Sequence, residues 1–179
     1  MRVITGTARG RNLETVDGLD VRPTTSKVKE AVFSAIQFEI EGARVLDLFC
    51  GSGQMGIEAL SRGAAFCVFV DSARRSQDVT KRNLMTTGLF SSARVAAMDY
   101  KDFLRTTKDK FDIVFMDPPY SQGMAQEALQ LLGRSMSESG VILCEHELGD
   151  ELAEEYGDFA RVKEYRYGRV LVSAYRRKQ

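Results

Sequence analysis

The sequence predicts an α/β fold, a Rossmann-like and mostly parallel sheet with an antiparallel C-terminal edge hairpin and a small N-terminal β-hairpin. Three observations predict it. From Arg44 onward, short apolar runs alternate with amphipathic stretches, the pattern of successive β-α-β units. The first run ends in a glycine-rich turn, Gly51-Ser52-Gly53-Gln54-Met55-Gly56, as where a strand hands over to a helix beneath a ligand. The tail departs from the alternation, since two apolar segments flank Gly168 closely enough for an antiparallel hairpin.

Taken in order, the first twenty residues read as a hairpin, with Val3 and Ile4 in one strand, Ala8-Arg9-Gly10-Arg11 near the turn, and Leu13 to Val16 returning. Arg22-Pro23-Thr24-Thr25 breaks the chain, and from Ser26 the apolar positions Val28, Val32, Phe33, Ile36 and Ile40 recur at helical spacing. Strands are expected at Val45 to Phe49, Phe66 to Val70, Val95 to Ala97, Phe111 to Met116 and Val141 to Cys144. Helices are expected between them, around Ile57 to Ser61, Ala73 to Leu84, Tyr100 to Leu104 and Met124 to Met136. The closing hairpin joins Ala160–Tyr167 to Val170–Tyr175. The expected organisation is one domain over 1–179, with a hairpin appendage at 1–20, a loop and helix at 21–42, and a Rossmann-like core at 43–179.

A chain of 179 residues that is 44% hydrophobic and 28% charged has the composition of an ordinary globular protein. No apolar run approaches the roughly 20 residues that span a bilayer, and Met1 to Gly6 turns polar too soon for a signal peptide, so a cytoplasmic protein is expected. Cys50, Cys67 and Cys144 are odd in number and lie in or beside apolar segments, which favours reduced, buried thiols over disulfides or zinc. The net charge of zero is unevenly distributed: residues 138–158 carry eight acids and no Lys or Arg, and 161–179 carry seven bases against one acid. Separate charged faces, or simply solvated surface, fit that pattern.

The loop Asp47-Leu48-Phe49-Cys50-Gly51-Ser52-Gly53 has glycine spacing that suits any nucleotide-like ligand at a helix N-terminus. Asp47 is the discriminator. A carboxylate beside this loop would repel the pyrophosphate of NAD but attract the ammonium of the methionyl part of S-adenosylmethionine, directly or through water. Asp71, 24 residues later at the end of the second strand, suits a ribose diol. Asp99-Tyr100 follows the third strand, where the carboxylate could accept from an adenine amino group or cap the helix that follows.

Asp117-Pro118-Pro119-Tyr120, directly after the fourth strand, is the most specific feature. Two prolines remove two backbone donors and leave a loop of acceptors. Asp117 and the Pro118 carbonyl can each take a hydrogen from a base amino group and aim the nitrogen lone pair at a methyl donor, while Tyr120 stacks on the base. This chemistry calls for no metal. Cys50 or Cys144 as nucleophiles for pyrimidine carbon methylation would not need such paired acceptors, and His146 after the fifth strand reads as a satisfied histidine, a substrate contact or a proton relay.

With these motifs in place, the sequence resembles the RsmD family of guanine-N2 methyltransferases acting on small-subunit (16S) ribosomal RNA. The resemblance covers nearly the whole chain: Gly6 through Arg9-Gly10-Arg11 and Leu13, Arg22-Pro23-Thr24-Thr25 with Val28-Lys29-Glu30, Asp47 to Gly53 with Glu58-Ala59-Leu60-Ser61-Arg62-Gly63, and Asp117 to Tyr120. It departs modestly at Thr5-Gly6-Thr7 and at Cys50, which stands where a small residue such as Ala is usual. The resemblance implies the class I S-adenosylmethionine-dependent methyltransferase fold, a hairpin that contacts RNA, and Thr24-Thr25 in a loop closing over the donor. Donor contacts are expected from Thr24, Thr25, Asp47, Phe49, Gly51, Ser52, Gly53, Asp71, Asp99 and Tyr100, and catalysis from Asp117, Pro118, Pro119 and Tyr120. Arg9, Arg11, Arg22 and Lys27 are expected to form a basic rim for RNA phosphates. The expected partner is ribosomal RNA, presented within a small-subunit assembly, with no obligate protein partner evident. An adenine-N6 type methyltransferase on other DNA or RNA shares the Asp117–Tyr120 chemistry, and an NAD-binding oxidoreductase shares the glycine loop.

Overall fold

The computed structural model of the chain describes residues 1–17, 24–120 and 123–179. Eight strands among them form one sheet: β1 (Arg44–Leu48), β2 (Phe66–Asp71), β3 (Ala93–Ala97), β4 (Phe111–Met116), β5 (Met136–Glu147), β6 (Glu155–Tyr156), β7 (Phe159–Tyr167) and β8 (Val170–Arg177), in the order β3-β2-β1-β4-β5-β8-β7-β6. The first five pair in parallel and the last three are antiparallel. The chain runs outward from β1 to β3, then returns to place β4 on the other side of β1. That reversal opens a crevice beyond the carboxyl ends of β1 and β4.

Helices cover both faces. Val45, Ile113, Phe115, Val141 and Leu143 point to one side, where α1 (Ser26–Ala35), α2 (Gln54–Ser61) and α3 (Arg74–Thr87) contribute Val32, Phe33, Ile57 and Leu84. Leu46, Leu48, Val114, Met116 and Ile142 point to the other, against Phe103 and Leu104 of α4 (Tyr100–Thr106) and Leu129 and Leu132 of α5 (Met124–Leu132). Alternate residues of each central strand thus enter different cores, which is why these strands are apolar on both faces.

Several expected elements differ in extent. The α1 helix stops at Ala35, although Ile36 and Ile40 are buried as their spacing suggested; Ile36 leaves helical geometry and the chain turns through Gly42 at φ 73°. The α5 helix stops at Leu132, and β5 begins at Met136 with a register shift against β4 between Phe111 and Ile113. The N-terminal segment closes as an antiparallel bridge between Arg2 and Asn12, with Val3 N–H donating to the Arg11 carbonyl (2.9 Å), and not as two extended strands. Further hydrogen bonds tie it to the body of the protein. The Glu58 carboxylate of α2 accepts from the backbone N–H groups of Ile4 (2.9 Å) and Thr5 (3.0 Å), and the Ser61 hydroxyl accepts from Ala8 N–H (3.0 Å) and donates to the Thr5 carbonyl (2.6 Å). A side chain at Gly6 would place its Cβ 1.8 Å from the Ser61 carbonyl oxygen, so only glycine permits this docking.

Candidate active site

A cavity of about 700 Å³ occupies the crevice. Its floor is the β1–α2 loop. Phe49 at φ 62°, Gly51 at φ 55° and Gly53 at φ 79° lie in the left-handed region, and the non-glycine Phe49 is strained there. The neighbours of this loop explain how the strain is held. Thr80 Oγ1 on α3 donates to the Gly51 carbonyl (2.8 Å), and Asn83 Nδ2 donates to the Ser52 carbonyl (2.9 Å). A Cβ on Gly53 would come within 2.9 Å of Thr80, and one on Gly56 within 2.4 Å of the Phe69 ring. Thr80 and Asn83 were not anticipated, because a polar residue inside an amphipathic helix carries no mark of what it reaches.

Asp47 lies buried at the inner wall, where its Oδ2 accepts from the Gly56 N–H at 2.9 Å. Burial raises its carboxyl group to about 8, against the lowering effect of that hydrogen bond and with a further push from Asp71. A cation at this position would relieve that cost. Asp71 closes β2 with Oδ2 accepting from Gly51 N–H (3.0 Å) and Oδ1 from Ala73 N–H (2.9 Å). Each oxygen keeps a second lone pair for a hydroxyl. Asp99 caps α4 by accepting from Lys101 N–H (2.8 Å), and it also lines the cavity, so the two roles anticipated for it coexist geometrically. Phe49 and Tyr100 rings meet at 4.9 Å to form an apolar wall, with the Tyr100 hydroxyl tied to Glu127 Oε2 (2.9 Å).

Asp117, Pro118, Pro119 and Tyr120 follow β4 and line the opposite wall, with all peptide bonds trans among the described residues. Burial pushes the Asp117 carboxyl well above the usual range, and Glu145 and then Asp47 push it further. A smaller cavity of about 200 Å³ shares Pro118, Pro119, Tyr120 and Met124 with the large one, and Glu145 and His146 of β5 line it. His146 is buried, with Nε2 at 2.9 Å from the Ser173 hydroxyl, which in turn donates to Glu164 (3.2 Å); burial lowers its pKa. The three cysteines are buried and desolvation raises each thiol, which leaves little thiolate for nucleophilic chemistry.

The structure brings most of the expected donor contacts together: Thr24, Asp47, Phe49, Gly51, Ser52, Asp71, Asp99 and Tyr100 all line the large cavity. Gly53 lies beneath it as the N-cap of α2. Thr24 Oγ1 donates to Glu145 Oε2 (2.9 Å), and the Thr24 carbonyl accepts from Gln54 Nε2 (3.3 Å). Thr25 instead faces its own helix, accepting from Val28 N–H as the N-cap of α1. Arg9, Arg11 and Lys27 are exposed, and Arg22 lies outside the described residues. The turn that carries Arg9 docks at Ser61, the last residue of α2 and the end away from the cavity loop, and neither Arg9 nor Arg11 lines the cavity.

Comparison with known proteins gives the architecture a family. The Ribosomal RNA small subunit methyltransferase D of Escherichia coli (strain K12) is 33% identical over 179 residues, covering 99% of this chain and 90% of that protein. Its namesake from Haemophilus influenzae is 37% identical over 135 residues, covering 74% of this chain and 70% of its own length. The solved structure of yhhF from Escherichia coli, 34% identical, covers 99% of this chain and 98% of that one with a TM-score of 0.88. The family model described as Conserved hypothetical protein 95 matches residues 1–176. On this fold, this cavity and these matches, the chain belongs to the RsmD family of class I methyltransferases.

Proposed function

We propose that the chain transfers a methyl group from S-adenosylmethionine to the exocyclic N2 of a guanine in small-subunit ribosomal RNA, with the RNA presented in a subunit assembly. One observation carries the reading: the acidic, Tyr100-walled cavity opens directly onto Asp117-Pro118-Pro119-Tyr120. The residues present fit the donor. Asp47 holds a carboxyl group whose burial a neighbouring ammonium would offset, Asp71 keeps lone pairs for a ribose diol, and Phe49 and Tyr100 offer flat apolar surface to an adenine. A pyrophosphate would meet Asp47 and Asp71 at the same loop, which disfavours NAD.

Bound S-adenosylmethionine supplies an electrophilic methyl group. The protein's part is to hold the amine: Asp117 and the Pro118 carbonyl each accept one hydrogen, Tyr120 fixes the plane of the base, and the nitrogen lone pair is left directed into the donor cavity. Burial raises the proton affinity of the Asp117 carboxylate, which suits it, in its ionised form, to take up the proton that leaves the methylated nitrogen. The test incubates the protein and labelled donor with unmodified small subunits and with bare RNA, followed by nucleoside analysis. N2-methylguanosine is expected, formed faster on the assembled subunit; N6-methyladenosine as the product would replace this reading with the adenine one. Thermal shift should show stabilisation by S-adenosylmethionine and none by NAD, about 2.7 kcal/mol at a hundredfold excess over Kd.

A further inference from the structure

We infer that Glu145 selects the acceptor base, accepting the N1–H of guanine while Asp117 accepts from its N2 amine. The inference rests on the proposed function and specifies how the same site reads its substrate. Its basis is a group of three acidic side chains. Val45, Phe115 and Leu143 lie two residues before Asp47, Asp117 and Glu145 on the neighbouring elements β1, β4 and β5, and all three pack into the core on the α1–α3 face. Strand pleating therefore turns Asp47, Asp117 and Glu145 toward that same side. Register sets their levels: Phe115 pairs with Leu143 and Met116 with Cys144, which sets Asp117 beside Glu145, whereas Asp47 pairs with Phe115 and stands two residues below them.

Position assigns roles. Asp47 and Asp117 line the large cavity and Glu145 the small one, and Pro118, Pro119 and Tyr120 line both. Glu145 raises the Asp117 carboxyl more than Asp47 does, in agreement with a register that sets Glu145 level with Asp117 and Asp47 two residues below it. Thr24 Oγ1 donates to Oε2 of Glu145 at 2.9 Å and fixes the orientation of the carboxylate. A carboxylate offers about four lone-pair sites, so this bond is compatible with a further N–H.

The chemistry of the bases supplies the selection. Guanine presents two adjacent donors, N1–H and N2–H, and a pair of neighbouring acidic acceptors matches them. Adenine presents an amine beside an N1 lone pair, which would face the Glu145 carboxylate. A site built to receive a hydrogen bond discriminates strongly against an analogue that lacks the donor.

The probe is 2-aminopurine, which keeps the exocyclic amine of guanine but carries a lone pair at N1. Small-subunit RNA with guanine or 2-aminopurine at the methylated position is assembled into subunits, and transfer rates are compared for the wild type and Glu145→Gln. The wild type should prefer guanine by about 100-fold or more. Glu145→Gln, whose amide can donate to N1, should narrow that preference about tenfold or more while S-adenosylmethionine affinity by calorimetry stays within about twofold. An unchanged preference in a variant that binds donor normally overturns the inference. So does a wild-type preference near unity, a measurement that needs no variant to fold. If the wild type forms a nucleoside other than N2-methylguanosine, the proposed function fails and Glu145 selection falls with it; N2-methylguanosine with an unaltered preference removes only the role of Glu145.

Discussion

The carboxyl group of Asp47 shows how a single residue can be costly to the fold and useful to the site. An ordinary Asp ionises near 3.8, whereas Asp47 retains its proton to about 8. Between those values the unfolded chain has released the proton and the folded chain still holds it. The native state therefore binds more protons, and its stability falls as pH rises through that window, by up to ~1.4 kcal/mol per pH unit from this group. Asp47→Asn keeps an oxygen that can accept from Gly56 N–H and has nothing to titrate. Its stability relative to the wild type should rise between pH 5 and pH 7.5 in urea denaturation, while its donor affinity drops; a difference independent of pH would refute the account. Asp117 is read by a different measurement, since its role lies in the transfer step. Asp117→Ala should lower the transfer rate by at least ~100-fold while leaving donor affinity within a few-fold. Full transfer by a donor-binding Asp117→Ala would overturn the proposed mechanism.

At the scale of elements, the site depends on two long-range attachments. Asn83 of α3 donates to the carbonyls of Ser52 (2.9 Å) and Glu14 (3.0 Å) and accepts from Glu14 N–H (2.8 Å), joining the cavity loop to the N-terminal segment. Asn83→Ala leaves three buried or half-buried backbone groups without their partner, and should cost about 2–3 kcal/mol in denaturant and weaken donor binding. Glu58, fully buried, accepts from two N-terminal N–H groups and pairs with Lys29 (3.6 Å) and Arg62 (2.9 Å). Its removal would strand the buried Lys29 ammonium. Such attachments mark what sequence could and could not disclose. The central strands were legible because apolar residues on both faces leave continuous runs, and the cavity loop because only glycine tolerates its backbone. Asn83, Glu58 and Ser61 act across 53 to 69 residues of chain, and no local pattern records such a bond. Thr25 was ambiguous for a related reason: a threonine before a helix serves equally as an N-cap or a ligand contact, and the N-cap bond became visible only in the structure. The short β6 strand escaped notice because Glu155 and Tyr156 carry no alternating pattern.

Across the whole molecule, part of the uneven charge resolves into neighbouring pairs along one edge of the sheet. Arg161 meets Glu154 and Glu164, Arg177 meets Glu138 and Asp158, and Lys178 meets Glu155, so three bases of the tail pair with acids of the stretch before it. Exposed pairs of this kind add little stability, but they leave less of the tail's charge available to attract a polyanion. The N-terminal turn differs. Arg9 and Arg11 are exposed, and neither forms an ion pair among the described residues. Because the turn docks at the Ser61 end of α2 and neither arginine lines the cavity, the proposed RNA contact for this pair is with phosphates flanking the target nucleotide. Replacing both with Glu should therefore reduce RNA affinity by about tenfold or more at physiological salt and make the dependence of log K on log salt shallower by about 1–2. Donor affinity and thermal stability should remain at wild-type values, because the docking of this turn uses backbone groups and Ser61, not the arginine side chains. RNA affinity and salt dependence equal to the wild type would show that the phosphate contacts lie elsewhere on the surface.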